Sequence, residues 1–240
     1  MKQIKGWNIP KWDSHFGHAL QLQKNSKKWE YQHKQRQYSL SFVNNWNLAL
    51  DIGGNVGFWS QDLCKKFDQV WAFEPHPDNI DCYKENMKKF NNWRLEELAL
   101  SDHLEKNAVL FASPDESGNI SLNSHGVTHG SSARVLKENN LNTTYTEVKT
   151  LDSYINQFSN QNIDFIKADS QEHEKEIMLG GLELLKKHEA VIVLELPCRN
   201  KKEKKYHDDI VDILKGIGYY RRGNCIKTIP ECISNKSWVI

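Results

Sequence analysis

The stretch Leu48-Ala49-Leu50-Asp51-Ile52-Gly53-Gly54-Asn55-Val56-Gly57-Phe58-Trp59 constrains this chain more than any other. Leu48, Leu50 and Ile52 suit a short strand covered on both faces. Gly53, Gly54 and Gly57 suit a tight turn in which a ligand lies against bare backbone. The pattern continues as a helix from Val56 to Phe67, whose unpaired N–H groups and positive dipole end would face whatever fills the turn. Asp51, at the strand end, repels phosphate and attracts an ammonium or hydroxyls. That favours a cationic, amino-acid-bearing nucleotide such as S-adenosylmethionine over ATP. The glycine spacing is not G-x-G-x-x-G and no Gly-Lys-Ser/Thr follows, which disfavours dinucleotide and Walker-type sites. A turn serving chain geometry alone stays open at this point.

Beyond the turn, strands and helices alternate. Gln69 to Glu74 reads as a strand ended by Pro75-His76-Pro77, with Asp78 and Asn79 as caps of a helix reaching about Lys89. Glu74 then sits at a strand's carboxyl end about twenty residues after Asp51, where an acid typically holds ribose hydroxyls. Further strands are expected at 94–99, 106–113, 144–149, 163–169 and 190–196, with helices at 151–158, 173–187 and 204–215 and one or two terminal strands. The alternation predicts an α/β fold, a doubly wound, Rossmann-like, mostly parallel sheet with helices on both faces. The 240 residues fit one such domain, 48–240, behind an N-terminal extension, 1–47. That extension is rich in Trp, His, Gln and Lys. It is expected to be helical from Ser26 to Trp46, with Trp29, His33, Arg36 and Leu40 near one face. It is either a layer over the sheet edge or a lid supplying stacking surfaces such as Trp12, Trp29 or Tyr31.

Composition narrows the partners. A net charge of +1 gives no global pull toward nucleic acid or a membrane. Five cysteines without a C-x-x-C argue against a disulfide framework or a structural zinc and suit a reducing compartment. The N-terminus has no apolar signal region and no run reaches transmembrane length, so a cytoplasmic protein is expected. His125 with His129, and His15 with His18, are spaced like metal ligands but lack a third ligand, and no metal is assigned.

Several short motifs carry a family resemblance. Asp51-Ile52-Gly53-Gly54-Asn55-Val56-Gly57, Phe73-Glu74-Pro75-His76-Pro77, Ala99-Leu100-Ser101-Asp102, Ser131-Ser132, Val148-Lys149-Thr150-Leu151-Asp152, Asp164-Phe165-Ile166-Lys167-Ala168-Asp169 and Val193-Leu194-Glu195 occur in order. The chain resembles the FkbM-type branch of class I S-adenosylmethionine-dependent methyltransferases. The resemblance implies a seven-stranded sheet and O-methylation of small molecules or sugars. It implies that Asp51, Gly53, Gly54, Asn55, Gly57 and Phe58 hold the methionine end of S-adenosylmethionine. Glu74, with Pro75 and His76 beside it, would bind the ribose, and Ala99, Leu100 and Ser101 would border the adenine. Asp169 would lie near the transferred methyl. Where the family continues Val, Glu or Gln, then Gly after that acid, this chain has Ser170-Gln171-Glu172-His173, which unsettles the catalytic assignment more than the cofactor assignment.

Methyl transfer to a hydroxyl needs alignment, exclusion of water and removal of a proton. Asp169 is the first candidate, as base or as orienter, against a purely structural role capping the next helix. His173 is second, since histidine titrates in the right range. Glu195 could orient the acceptor or be a paired structural acid. The rival expectations are an RNA 2′-O-methyltransferase using Asp169, Glu195 and a lysine, a NAD-dependent oxidoreductase, and a degenerate methyltransferase fold that only binds.

Overall fold

The computed structural model describes residues 1–16, 31–123, 127, 141–197, 200–219 and 235–239, the last five by backbone only. The centre is a six-stranded sheet among the described residues, built from β3 (Leu48–Ile52), β4 (Gln69–Phe73), β5 (Trp93–Glu96), β10 (Ile163–Ala168), β11 (Val191–Pro197) and β12 (Asn235–Val239). Its order is β12-β11-β10-β3-β4-β5, parallel throughout except for β12, which runs antiparallel to β11. The order reverses between β3 and β10, where open α/β sheets bind ligands at the strands' carboxyl ends.

Alternation along β3 sends Leu48, Leu50 and Ile52 to one face and Ala49 to the other, and every residue of the strand is buried. The first face packs under helices α4 (Glu174–Leu179), α5 (Leu182–Lys187) and α6 (Lys201–Gly216) through Ile177, Met178, Leu184, Leu185, Ile210 and Leu214. The second carries α1 (His33–Leu40), α2 (Ser60–Leu63) and α3 (Pro77–Met87), through Leu40, Leu63, Tyr83 and Met87. The doubly wound expectation therefore holds. No helix among the described residues is long and apolar enough to cross a membrane.

Several expected elements take another form. The 1–47 extension begins with a β-hairpin, β1 (Lys2–Ile4) and β2 (Trp7–Ile9), and its helix is only His33–Leu40 among the described residues. Within it Arg36 and Leu40 are buried while His33 is exposed, and Trp29 lies outside the described residues. The helix expected after the glycine turn shrinks to Ser60–Leu63, because Val56–Trp59 winds as turns around Gly57. Pro77 opens α3 with His76 before it, so neither Asp78 nor Asn79 caps it.

The expected strand 94–99 divides between two sheets. Trp93–Glu96 stays in the main sheet, while β6 (Ala99–Leu100) joins β7 (Glu105–Ala112), β8 (Ile120–Ser121) and β9 (Asn142–Lys149) in a second sheet of order β6-β9-β7-β8. The single helix expected over 173–187 breaks at Gly180-Gly181, where a Cβ on Gly180 would lie 2.0 Å from the Ser101 carbonyl oxygen. A chain this close to a neighbouring backbone leaves room for glycine only.

Candidate active site at the carboxyl ends of β3, β4 and β10

The turn after β3 is held by backbone bonds to β4. Gly53 and Gly54 N–H both donate to the Phe73 carbonyl at 3.0 Å, and Gly57 N–H donates to Gly54 at 2.9 Å. Gly53, Asn55 and Gly57 are left-handed, at φ 73°, 48° and 94°. At Gly53 a Cβ would meet the Asp169 carbonyl oxygen at 1.9 Å, so the first glycine is needed for two reasons at once.

Beneath the turn lies a buried ion pair. Lys167, on β10, places Nζ 3.2 Å from Asp51 Oδ1 and donates to the carbonyls of Gly53 (2.7 Å) and Ile52 (3.2 Å). Ser60 Oγ donates to Asp51 Oδ2 at 2.6 Å. Burial pulls the Lys167 ammonium toward neutrality, but Asp51 and Asp169 outweigh it and leave its proton affinity raised. Asp51 is fully buried and does not reach the cleft wall.

Glu74 follows β4 and is buried at the cleft wall. Its Oε2 accepts from Asn55 N–H at 2.8 Å, and its Oε1 from His76 N–H at 3.0 Å and Asn79 Nδ2 at 3.3 Å. Burial pushes its carboxyl up to about 7 despite those three donors. Above it, the Ser117 carbonyl accepts from Asn55 Nδ2 (2.7 Å) and Asn79 Nδ2 (2.9 Å). A carbonyl only accepts, so both amides are oriented with nitrogen toward Ser117. That leaves Asn55 Oδ1, Asn79 Oδ1 and Ser117 Oγ buried with no hydrogen-bond partner among the described residues. All three residues line the cleft.

The cleft encloses about 800 Å³, its open mouth included. Part of its wall is apolar, formed by Leu98, Ala99, Leu100, Leu110, Ile120 and Ile177. The lining also includes an aromatic group in which Phe16, Tyr31 and Phe58 meet at ring-centroid distances of 5.1 to 5.6 Å. Asp13 ties this wall to the loop above the turn, accepting from Phe16 N–H and Ser117 N–H, each at 2.8 Å. Arg36, buried in α1, pairs with Asp62 and donates to the Tyr31 carbonyl, both at 2.5 Å.

Two acids follow at the ends of β10 and β11, Asp169 lining the cleft and Glu195 behind it. Asp169, just past β10, accepts from Gln171 Nε2 at 2.9 Å and faces Lys167 Nζ at 4.0 Å. Glu195, on β11, is hydrogen-bonded to Asp169 and accepts from Gln32 Nε2 at 2.8 Å. Burial, then the Asp169 charge and the hydrogen bond with it, hold the Glu195 carboxyl well above the usual range. The next turn is strained: Gln171 and Glu172 are left-handed at φ 53° and 65°, a conformation costly for residues with a Cβ. Glu174 beyond it is fully buried. Its Oε1 accepts from Ser170 N–H (2.7 Å) and Oγ (3.0 Å), while its Oε2 has no partner among the described residues. Burial pushes this carboxyl up to about 8. His173 turns toward Ser101, with Nε2 2.9 Å from Ser101 Oγ, and burial lowers its proton affinity.

A model of the methyltransferase FkbM domain matches residues 51–220. The chain belongs to that family. Among solved structures, a methyltransferase FkbM from Methylobacillus flagellatus superposes with a TM-score of 0.55 at 12% identity, over 85% of this chain and 48% of that one. The chain thus spans about half the length of that relative. Aeropyrum pernix fibrillarin with bound S-adenosyl-L-methionine matches at a TM-score of 0.48 and 8% identity, over 82% and 68% of the two chains. The ribosomal protein L11 methylase of Lactobacillus delbrueckii subsp. bulgaricus has the same score and identity, over 86% and 76%. No curated protein matches.

Within this FkbM domain, Gly53, Gly54, Asn55, Phe58, Glu74, Pro75, Ala99, Leu100, Asp169 and His173 all line the cleft. Asp51, Gly57, His76, Ser101 and Glu195 stand behind it. His76 contributes its N–H to Glu74 while its ring packs against Trp12, whose indole N–H is engaged by Asp78 at 2.6 Å. His18, His125, His129, Ser131 and Ser132 lie outside the described residues. Sequence reasoning missed Lys167, Gln32, Asn79 and Ser117. A lysine two residues before a strand-end acid was a visible signal for the first; nothing local marks the other three.

Proposed function

We propose that the FkbM domain binds S-adenosylmethionine and transfers its methyl group to a hydroxyl of a small molecule or sugar. The observation carrying this reading is the set of unpartnered acceptors, Asn55 Oδ1, Asn79 Oδ1 and Ser117 Oγ, gathered around the Glu74 carboxyl at a glycine turn. Such a set calls for a ligand rich in O–H donors, as a ribose diol is. The residues fit the rest of the cofactor too. The backbone of Gly53 and Gly54 lines the cleft where the methionine end would lie, and the apolar lining of Leu98, Ala99, Leu100 and Ile177 suits an adenine ring. Asp51 acts through Lys167, by holding the turn in shape, rather than by touching the cofactor.

The bound cofactor would supply a methyl group on a positively charged sulfur. The chain's own contribution is to place the acceptor beside Asp169, take its proton there, and exclude water with Phe16, Tyr31 and Phe58. His173 is kept neutral and occupied by Ser101, so it suits the adenine side better than proton removal. Transfer to an RNA ribose 2′-hydroxyl is the second reading, favoured by Lys167 beside Asp169 and Glu195. The Lys167 ammonium, however, already serves two carbonyls and Asp51.

Calorimetric titration with S-adenosylmethionine and its demethylated product, with NAD as control, tests the cofactor. Binding of the first two, weakened at least tenfold in Glu74→Ala and Asn79→Leu, is the expected result. A folded protein that binds neither would sink this reading. Small hydroxylated acceptors and a short RNA then separate the two acceptor classes.

A further inference from the structure

Asp13 lies outside the matched residues 51–220, is fully buried, and has a backbone donor on each carboxyl oxygen. Oδ1 accepts from Phe16 N–H and Oδ2 from Ser117 N–H, each at 2.8 Å. The first bond is local; the second reaches 104 residues along the chain, to the loop between β7 and β8. In that loop Asn119 N–H donates to the Glu116 carbonyl at 3.1 Å, which puts Ser117 and Gly118 in the middle of a β-turn. The N-terminal residues join the loop a second time, where Ser14 and His15 N–H donate to the Asp115 carbonyl at 2.9 and 3.3 Å.

The middle peptide of a β-turn can face either way. Turning it over converts type I to type II and asks for positive φ at the third residue, which glycine supplies at no steric cost. Gly118 is that residue, yet it is not left-handed here. The Ser117 carbonyl instead accepts from Asn55 Nδ2 and Asn79 Nδ2. Both oxygens of Asp13 act on this turn. Oδ2 holds Ser117 directly, and Oδ1 holds Phe16, whose ring would be 3.0 Å from a Cβ on Gly118. With the carbonyl in place, each Asn amide commits its nitrogen to Ser117 and leaves Oδ1 without a partner among the described residues. With the peptide turned over, its N–H would face the amides, and they would have to spend an oxygen on it.

We propose that Asp13 is a positioning residue for the cofactor's ribose: by pinning the Ser117–Gly118 peptide it keeps the Asn55 and Asn79 oxygens free to accept from the ribose hydroxyls beside Glu74. This rests on the cofactor reading above, and adds that residues upstream of the matched segment complete the site.

Asp13→Ser separates the two bonds. A serine can still accept from the N–H three residues on, as capping serines do, but is too short to reach Ser117 as well. Parent and variant are titrated by calorimetry with S-adenosylhomocysteine, the demethylated cofactor, and with its 2′-deoxy and 3′-deoxy forms. In the parent, loss of a hydroxyl should cost about tenfold or more in affinity, because a buried acceptor stays unpaired. In Asp13→Ser the affinity for S-adenosylhomocysteine should fall about tenfold while the deoxy forms lose little, so the preference for ribose shrinks to roughly threefold or less. A merely structural role would weaken all three ligands by one factor, and a preserved preference in folded Asp13→Ser overturns the proposal. If Asp13→Ser does not fold, the parent is read by nitrogen-15 NMR. Slow exchange of the Ser117 N–H and of both Asn side-chain NH2 groups supports the chain of bonds, and fast exchange at any of them overturns it. A parent that binds S-adenosylhomocysteine without preferring ribose overturns the proposal alone; one that binds none of the three ligands overturns the functional reading with it.

Discussion

Two turns close the carboxyl ends of the neighbouring strands β3 and β10, and both pass through left-handed backbone. After β3 that conformation falls on Gly53, Asn55 and Gly57, residues that adopt it at little cost. After β10 it falls on Gln171 and Glu172, where a Cβ makes each residue strained by about 1 kcal/mol or more. The first turn presents mostly backbone to the cleft, and shape is all it needs. The second must also place side chains: Gln171 on Asp169, His173 on Ser101, and Ser170 with Glu174. Glycine solves a problem of space; a problem of side-chain placement is solved by accepting strain held elsewhere.

The sharpest break of this contrast is Gly53→Ala. The new Cβ would have to displace the Asp169 carbonyl, backbone that cannot rotate away, and would also sit at positive φ. We expect a loss on the order of 3 kcal/mol in urea unfolding and loss of cofactor binding by calorimetry. A cost below about 1 kcal/mol would mean that the two turns are not locked together as described.

This contrast also explains what could be read from the sequence. The glycine turn, the Glu74 strand end and the alternating elements are local patterns, and the residues at 53, 54, 55, 58 and 74 do line the cleft. The departure at Ser170–Glu172 was visible as an anomaly, but its two left-handed residues were not, since neither Gln nor Glu signals that conformation. The burial of Asp51 behind the cleft was not legible for a related reason. Its charge suggested contact with a ligand, whereas the partner that absorbs it, Lys167, comes from a strand more than a hundred residues away in sequence. Gln32 and Ser117 are long-range in the same way. The hairpin at 2–9 escaped because short edge strands carry too few residues for a period to show. Strands β7 and β9 were expected, but their separation into a second sheet depends on long-range pairing that no local pattern marks.

Two buried glutamates extend the comparison to pH. Glu74 at the first turn has donors on both oxygens; Glu174 at the second has donors on one only. Burial raises the first to about 7 and the second to about 8. For an acid raised on folding, the folded state holds the proton that the unfolded state has released. Stability is therefore full below the ordinary carboxyl range, near 4.5, and is lost as pH rises toward the folded value. Each tenfold change in proton affinity is about 1.4 kcal/mol, so Glu174 should contribute a decline on the order of 2 kcal/mol or more between about pH 5 and about pH 9. Urea unfolding of Glu174→Gln should show that much less decline across the same range. Equal slopes for variant and parent would place the carboxyl in a wetter site than the structure shows.

The smallest effect tests the strain itself. Glu172→Gly should stabilise the fold, because glycine adopts φ 65° without the Cβ penalty. The gain is reduced by the greater freedom of glycine in the unfolded chain, leaving a net of about 0.5 to 1 kcal/mol. Stability alone would not establish why the residue is tolerated, so the turnover rate must be read beside it. If strain serves placement, the relaxed turn lets Gln171 and His173 wander. The variant should then be more stable in thermal unfolding yet slower in methyl transfer, with cofactor affinity nearly intact. A variant that is both more stable and equally fast would show that the second turn, like the first, is only a matter of shape.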